Sequence, residues 1–240
     1  MPITFDLSGK VVLVTGVARV GQIGHAVAEA FGLAGAKVIL ADRNAVAVAE
    51  RAREFTQRGI DARPAAGDLT EPDIAALAVE TAIKHFGRLD VLVNVAGGLT
   101  TYGPAGEVQP EAFDREIAIN LKTAWLMSRA ALPRLAEARG CIVNFSSVSV
   151  LTPARQLAVY SAAKAGVAAF TRSLAVEVWP SGVRVNAVAP AMVRTADNVS
   201  AAGPAAQYVE MSDITNAVLF LASDAAAAIT GHILPVTNGV

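Results

Sequence analysis

Seven short runs rich in β-branched and small apolar residues alternate with longer stretches bearing Ala, Leu and Glu. The runs are Lys10–Thr15, Lys37–Ala41, Ala62–Ala66, Val91–Val95, Cys141–Ser146, Val183–Val188 and His232–Val236. Between most of them, helical spacing marks Ile23–Leu33, Ala45–Arg58, Pro72–Phe86, Pro110–Ala138, Val159–Trp179 and Ser212–Ala222. Apolar strands joined by helical crossovers predict an α/β fold: a doubly wound, seven-stranded parallel sheet with helices on both faces. Gly35, Gly59, Gly87, Gly140 and Gly182 follow five of the helical runs, where a left-handed residue ends a helix most easily. Pro180 supports the stop after Trp179.

Composition fits that architecture. The chain of 240 residues suits a single domain, residues 1–240, and its 53% hydrophobic content suits a sheet buried on both faces. A net charge of −1 with no basic cluster gives nucleic acid or an anionic membrane nothing to bind. No apolar run reaches transmembrane length. The start M-P-I-T-F-D-L lacks the basic and apolar parts of a secretion leader. The lone Cys141 reads as a small core residue in a reducing compartment, so a cytoplasmic location is expected. His25, His85 and His232 are scattered without partners at ligand spacing, so no metal site is expected. Residues 196–208, rich in Ala, Gly and Ser, read as an irregular mobile lid.

The first strand ends at Thr15-Gly16 in T-G-V-A-R-V-G-Q-I-G, and a helix opens at Gln22-Ile23. Such a turn presents unpaired amides and a positive helix end to a pyrophosphate, as in Rossmann-type sheets. Gly16, Gly21 and Gly24 are available for close approach, although the same turn also occurs without a ligand. Asp42 ends the second strand 18 residues after Gly24, where a carboxylate can accept from the adenosine ribose or cap the next helix. A 2′-phosphate there would be repelled by about 4 kcal/mol per charge pair, so NAD is expected over NADP. Arg19 and Arg43 are the countervailing cations. Asp68-Leu69 in G-D-L-T either meets adenine or caps the helix near Pro72, a role Thr70 could also fill. Asn94, Ala96 and Gly97 in N-V-A-G let a ligand approach the main chain.

Tyr160 and Lys164 stand at i and i+4 in Y-S-A-A-K and share a helix face. Lowering a phenol's pKa by about three units needs about 4 kcal/mol, which one ammonium at ~4 Å supplies. Ser147 ends the fifth strand as a neutral hydroxyl for a substrate oxygen, and Asn120 could hold a water that links Lys164 to solvent. Each feature alone is commonplace: a surface pair, a loop serine, a tolerated helix asparagine. Their joint order on a dinucleotide-type chain points to hydride and proton transfer between a nicotinamide and an alcohol or carbonyl.

Together these motifs resemble the short-chain dehydrogenase/reductase family, in its compact branch with Y-x-x-x-K, over nearly the whole chain. The resemblance implies that Tyr160 is the general acid/base. Lys164 lowers its pKa and binds the nicotinamide ribose, Ser147 positions the substrate oxygen and Asn120 completes the relay. P-A-M-V-R-T at 190–195 resembles the family's segment after the sixth strand, which implies that Pro190 is among the cofactor-binding residues and that the Val193 main chain and the Thr195 hydroxyl hold the carboxamide. Relatives pair two long helices across a dimer, usually within a tetramer, so a homodimer or homotetramer is expected. The longer glycine turn, with Gln22 at the middle-glycine position, resembles the divergent enoyl-reductase branch, whose Tyr–Lys spacing is longer than here. Val95 and Ala191 also depart from the pattern.

The substrate space is expected to include Leu99, Val148, Leu151, Gln156 and Met192, with Arg155 and Arg194 either solvated or attracting an acidic substrate. The leading expectation is an NAD(P)-dependent oxidoreductase interconverting a secondary alcohol and a ketone. The first rival is an NADPH-linked 3-oxoacyl-carrier-protein reductase, which Asp42 opposes. The second is a non-catalytic dinucleotide-sensing protein, for which a complete proton relay is superfluous.

Overall fold

The computed structural model describes residues 5–239. Residues 1–4 and 240, the outer ends of the expected single domain and most of the segment read for a leader, lie outside the described residues. Every expected run becomes a strand: β1 Val11–Thr15, β2 Lys37–Asp42, β3 Ala62–Ala66, β4 Val91–Asn94, β5 Cys141–Phe145, β6 Arg184–Pro190 and β7 Ile233–Val236. The helices are α1 Ile23–Leu33, α2 Ala45–Gln57, α3 Pro72–Phe86, α4 Pro110–Ile117, α5 Thr123–Ala138, α6 Ala158–Val178, α7 Ala196–Ala202 and α8 Met211–Ala222.

The sheet is parallel throughout and ordered β3-β2-β1-β4-β5-β6-β7. Alternation within β1 shows how both faces are buried. Val12 and Val14 join the core that includes Phe31 of α1, Phe55 of α2 and Val218 of α8. Val11 and Leu13 join the opposite core, with Val79 of α3, Leu126 of α5 and Leu174 of α6. Pro64, which cannot donate to a ladder, lies in the edge strand β3. Chain order reverses between β1 and β4, and the crevice beyond their carboxyl ends is where such sheets bind ligands.

Three local expectations are corrected. The expected helix Pro110–Ala138 is interrupted by a π turn at Ala118–Lys122, where the Thr123 amide and hydroxyl both donate to the Ala118 carbonyl. Gly140 is not the left-handed residue after α5; Arg139 is, with φ 49°. Glycine is required at 140 because a Cβ there would stand 2.2 Å from the Asp90 carbonyl oxygen. The segment expected as an irregular lid is partly helical. The Thr195 hydroxyl accepts from the Asn198 amide and caps α7, while Tyr208 donates to the Asn198 and Gly203 carbonyls behind it.

Candidate active site

A cleft of about 890 Å³ opens at the carboxyl ends of the strands, a volume in the range of small-molecule and cofactor sites. One end is the turn after β1. Gly16 (φ 76°) is forced by close packing, since a Cβ would meet the Ala96 Cα at 2.9 Å. At Gly24 a Cβ would meet the Gly16 oxygen at 2.1 Å, so these glycines pack the turn on itself and on the β4 end. The first turn of α1 has no side-chain cap, and Gln22, Ile23 and Gly24 line the cleft. The Gln22 amide donates to the Arg19 carbonyl (3.3 Å), and the Ile23 and Gly24 amides suit an anion.

Asp42 lines the cleft, its Oδ2 accepting from the Ala18 amide (3.0 Å) and its Oδ1 from the Asn44 amide (3.1 Å). It does not cap α2; Asn44 does, accepting from the Ala47 amide. Arg43 is exposed at the same end. Asp68 also lines the cleft and accepts from the Thr70 amide and hydroxyl, which hold its carboxyl below the usual range. Neither Asp68 nor Thr70 caps α3, whose N-cap is Glu71. Leu69, Ala96, Gly97, Pro190 and Val193 complete the expected lining.

Asn94 and Thr195 are not in the lining. Asn94 is 4% exposed and donates inward to the Asn144 side chain (2.9 Å), because strand alternation turns it toward the core under α5. Thr195 is buried with its hydroxyl on α7. Asn198 lines the cleft near it and donates to the Val193 carbonyl (2.8 Å).

At the other end, Ser147, Tyr160 and Lys164 line the same cleft. The Ser147 hydroxyl accepts from the Ser149 amide (3.2 Å), which fixes its direction beyond β5. Tyr160 opens α6, and the Lys164 Nζ sits 5.8 Å from its ring centroid and donates to the Phe145 carbonyl at 2.9 Å. Burial pushes the Lys164 ammonium down to about 8, against the pull of Glu116. The expected lowering of the Tyr160 pKa is corrected. Burial raises it, hydrogen bonding with Ser147 offsets part of the rise, and Glu116 adds to it. The sequence arithmetic counted a cation's attraction and omitted the phenolate's lost hydration.

Asn120 is also not in the lining. It is 1% exposed, its Oδ1 accepts from the Gly98 amide, and its Nδ2 donates to Gly98 and Glu116 oxygens. Gly97 is glycine for this reason, since a Cβ would stand 2.5 Å from the Asn120 Oδ1. Leu99, Val148 and Met192 line the cleft as expected; Leu151, Arg155 and Gln156 are not among its lining residues. Arg194 is paired with Glu210 (2.7 Å) rather than free.

Sequence reasoning missed Ser149, Asn198 and Glu116. Ser149 lines the cleft, and its Oγ is buried with no hydrogen-bond partner among the described residues, an unsatisfied polar group at the site. With the uncapped helix and the Asp42 carboxylate, the donor and acceptor set fits a dinucleotide. Glu116 had one sequence signal, a carboxylate four residues before Asn120 on the same helical face.

A family model described as enoyl-(acyl carrier protein) reductase matches residues 16–240. The chain belongs to the short-chain dehydrogenase/reductase family. It is similar to D-threitol dehydrogenase of Mycolicibacterium smegmatis, with 36% identity over 98% of this chain and 94% of that protein. Cis-4-hydroxycyclohexanecarboxylate dehydrogenase of Sinomonas cyclohexanicum is 37% identical over 96% of each chain. Among solved structures, a 7α-hydroxysteroid dehydrogenase complexed with NADH and 7-oxo glycochenodeoxycholic acid superposes with TM-score 0.90. It is 28% identical, covering 98% of this chain and 95% of that one. This member of the family is an oxidoreductase that interconverts an alcohol and a ketone with a nicotinamide dinucleotide. Among the described residues, no helix is long and apolar enough to cross a membrane.

Proposed function

We propose that residues 1–240 form one dinucleotide-binding unit that uses NAD to oxidise a secondary alcohol, or reduce the matching ketone, on a cyclic or aliphatic substrate. The observation that carries this reading is the meeting of Ser147, Tyr160 and Lys164 in the cleft that Asp42 and the uncapped α1 end also line. Relatives named for threitol and for hydroxycyclohexanecarboxylate support hydroxyl-bearing substrates. The nicotinamide, when bound, accepts or supplies the hydride. Ser147 holds the substrate oxygen, and Tyr160 takes the hydroxyl proton in oxidation and returns it in reduction. The half-buried phenol needs positive charge to ionise, and the buried Lys164 beside it is the protein's own source. A relay water at Asn120 meets its main chain, because the side chain is spent on Gly98 and Glu116.

At the adenosine end, Asp42 disfavours a 2′-phosphate, which supports NAD. Arg19 offers little to oppose this, being paired with Asp197. Exposed Phe113, Trp125, Val176 and Trp179 on and just after α4, α5 and α6 support self-association as a homodimer or homotetramer. The lone Cys141 is buried, its thiol pushed up to about 11 by burial, so it is an inert core residue; the single cysteine supports a cytoplasmic location.

The test is turnover of a panel of secondary alcohols and ketones with each dinucleotide. NAD-linked turnover is expected, falling by about 10³-fold in Tyr160→Phe while NADH still binds by fluorescence. A strong NADPH preference sinks the cofactor assignment. NADH binding without turnover anywhere on the panel, unchanged in Tyr160→Phe, supports the sensor instead.

A further inference from the structure

Glu116 is fully buried on α4, and no Lys or Arg of the described residues lies within ion-pair distance of it. A buried carboxylate without a counter-ion is costly unless hydrogen bonds compensate it. Here they come from two directions. Oε2 accepts from the Thr100 amide (3.0 Å) and the Thr100 hydroxyl (2.5 Å). Oε1 accepts from the Asn120 Nδ2 (3.1 Å). Asn120 in turn holds Gly98 by both its amide and its carbonyl, at 3.0 Å each. Gly98, Leu99 and Thr100 are one wall of the cleft, so this carboxylate ties that wall to the π turn.

The same charge reaches the reacting groups. Among charged side chains, Glu116 alone acts on Lys164 and favours its protonated form; it also acts on Tyr160. Around Lys164, α6 contributes Tyr160, β5 contributes only the Phe145 carbonyl to its Nζ, and α4 contributes Glu116.

We propose that Glu116 is a positioning residue for the reaction: it aligns Asn120 and the 98–100 wall of the cleft. Its effect on turnover rests on the dehydrogenase reading above; the hydrogen-bond network itself does not. Glutamine is the informative replacement. Its amide must face either Asn120 Nδ2 or the Thr100 N–H, placing donor against donor, unless Asn120 flips and gives up Gly98.

The experiment follows the Lys164 ¹³Cε signal through a pH titration in wild type and Glu116→Gln. The chain has five lysines, so Lys164→Met assigns the signal by its disappearance. The Lys164 midpoint is expected to move down in Glu116→Gln, and kcat at neutral pH to fall about tenfold. The NADH dissociation constant should stay within about twofold. An unmoved midpoint or an unchanged kcat overturns the proposal. The titration needs no substrate, so it reads Glu116 even if wild type turns over no alcohol. Should Glu116→Gln not fold, Thr100→Val removes one donor and keeps the charge. It is expected to lower kcat about threefold with the midpoint fixed, and an unchanged kcat again overturns the proposal.

Discussion

The sheet buries a carboxylate at each end, and the two are treated differently. Asp90, just before β4 at the amino edge, is 2% exposed and accepts from Arg88 twice (2.8 and 2.6 Å) and from the Val11 amide (2.9 Å). Lys10 stands 3.8 Å away. Glu116, at the carboxyl edge, is more deeply buried and has hydrogen bonds but no cation. The amino-edge charge is closed within its own surroundings, and it pins β1 to β4. The carboxyl-edge charge is left to act on Lys164 and Tyr160. Stability and chemistry are thus separated along the strand direction, which makes the contrast open to attack by substitution.

The sharpest attack is on Asp90. Asp90→Ala leaves Arg88 and the Val11 amide without their acceptor and should cost about 3 kcal/mol. For a chain of this size that is a fall in Tm of about 10 °C. Calorimetry reads the loss, and kcat per folded molecule should hold at temperatures where the variant is native. Lost activity in a fully folded Asp90→Ala would show that the two ends are coupled after all.

Lys164 tests the other end with the opposite sign. Its folded pKa, about 8, lies below its unfolded value of 10.5. The unfolded chain therefore binds more protons between those values, and wild-type stability rises with pH through that window. Below pH 8 both states are charged and burial of the ammonium costs in full. Lys164→Met should therefore be inactive yet more stable than wild type at neutral pH, by a few degrees. The advantage should shrink between pH 8 and 10.5. Thermal melts across that range decide it; a Met variant less stable at pH 7 would mean that the bond to the Phe145 carbonyl outweighs desolvation.

The same division explains what could be read in the sequence. Strands and α1 were legible because burial on both faces imposes continuous apolar runs, and Tyr160 and Lys164 because i,i+4 spacing fixes a shared helix face. The π turn was not. It adds a residue to one turn without breaking the apolar pattern from Pro110 to Ala138, so spacing alone hides it. Asn94 was misjudged because one step along a strand reverses a side chain, and its partner Asn144 is 50 residues away. The direction of the Tyr160 shift depends on lost hydration, which no local spacing reports. Glu116 looked like any surface helix glutamate until the 98–100 loop closed over it.

A third pair measures how far the contrast extends to exposed charges. Arg19 in the glycine turn meets Asp197 of α7 at 2.6 Å, joining two walls of the cleft, but the side chains are 68% and 52% exposed. Water and salt screen such a pair, and it should contribute no more than about 0.5 kcal/mol. Arg19→Ala is therefore expected to shift Tm by less than about 2 °C, well below the Asp90 effect, because Asp197 can rehydrate in place. Any functional consequence should be a screened one. The NADH dissociation constant of wild type at about 0.5 M salt should approach that of Arg19→Ala at low salt, where the Debye length is longer. A Tm loss as large as that of Asp90→Ala would mean that α7 depends on this contact. Exposure would then be the wrong measure of what an ion pair contributes at the cleft rim.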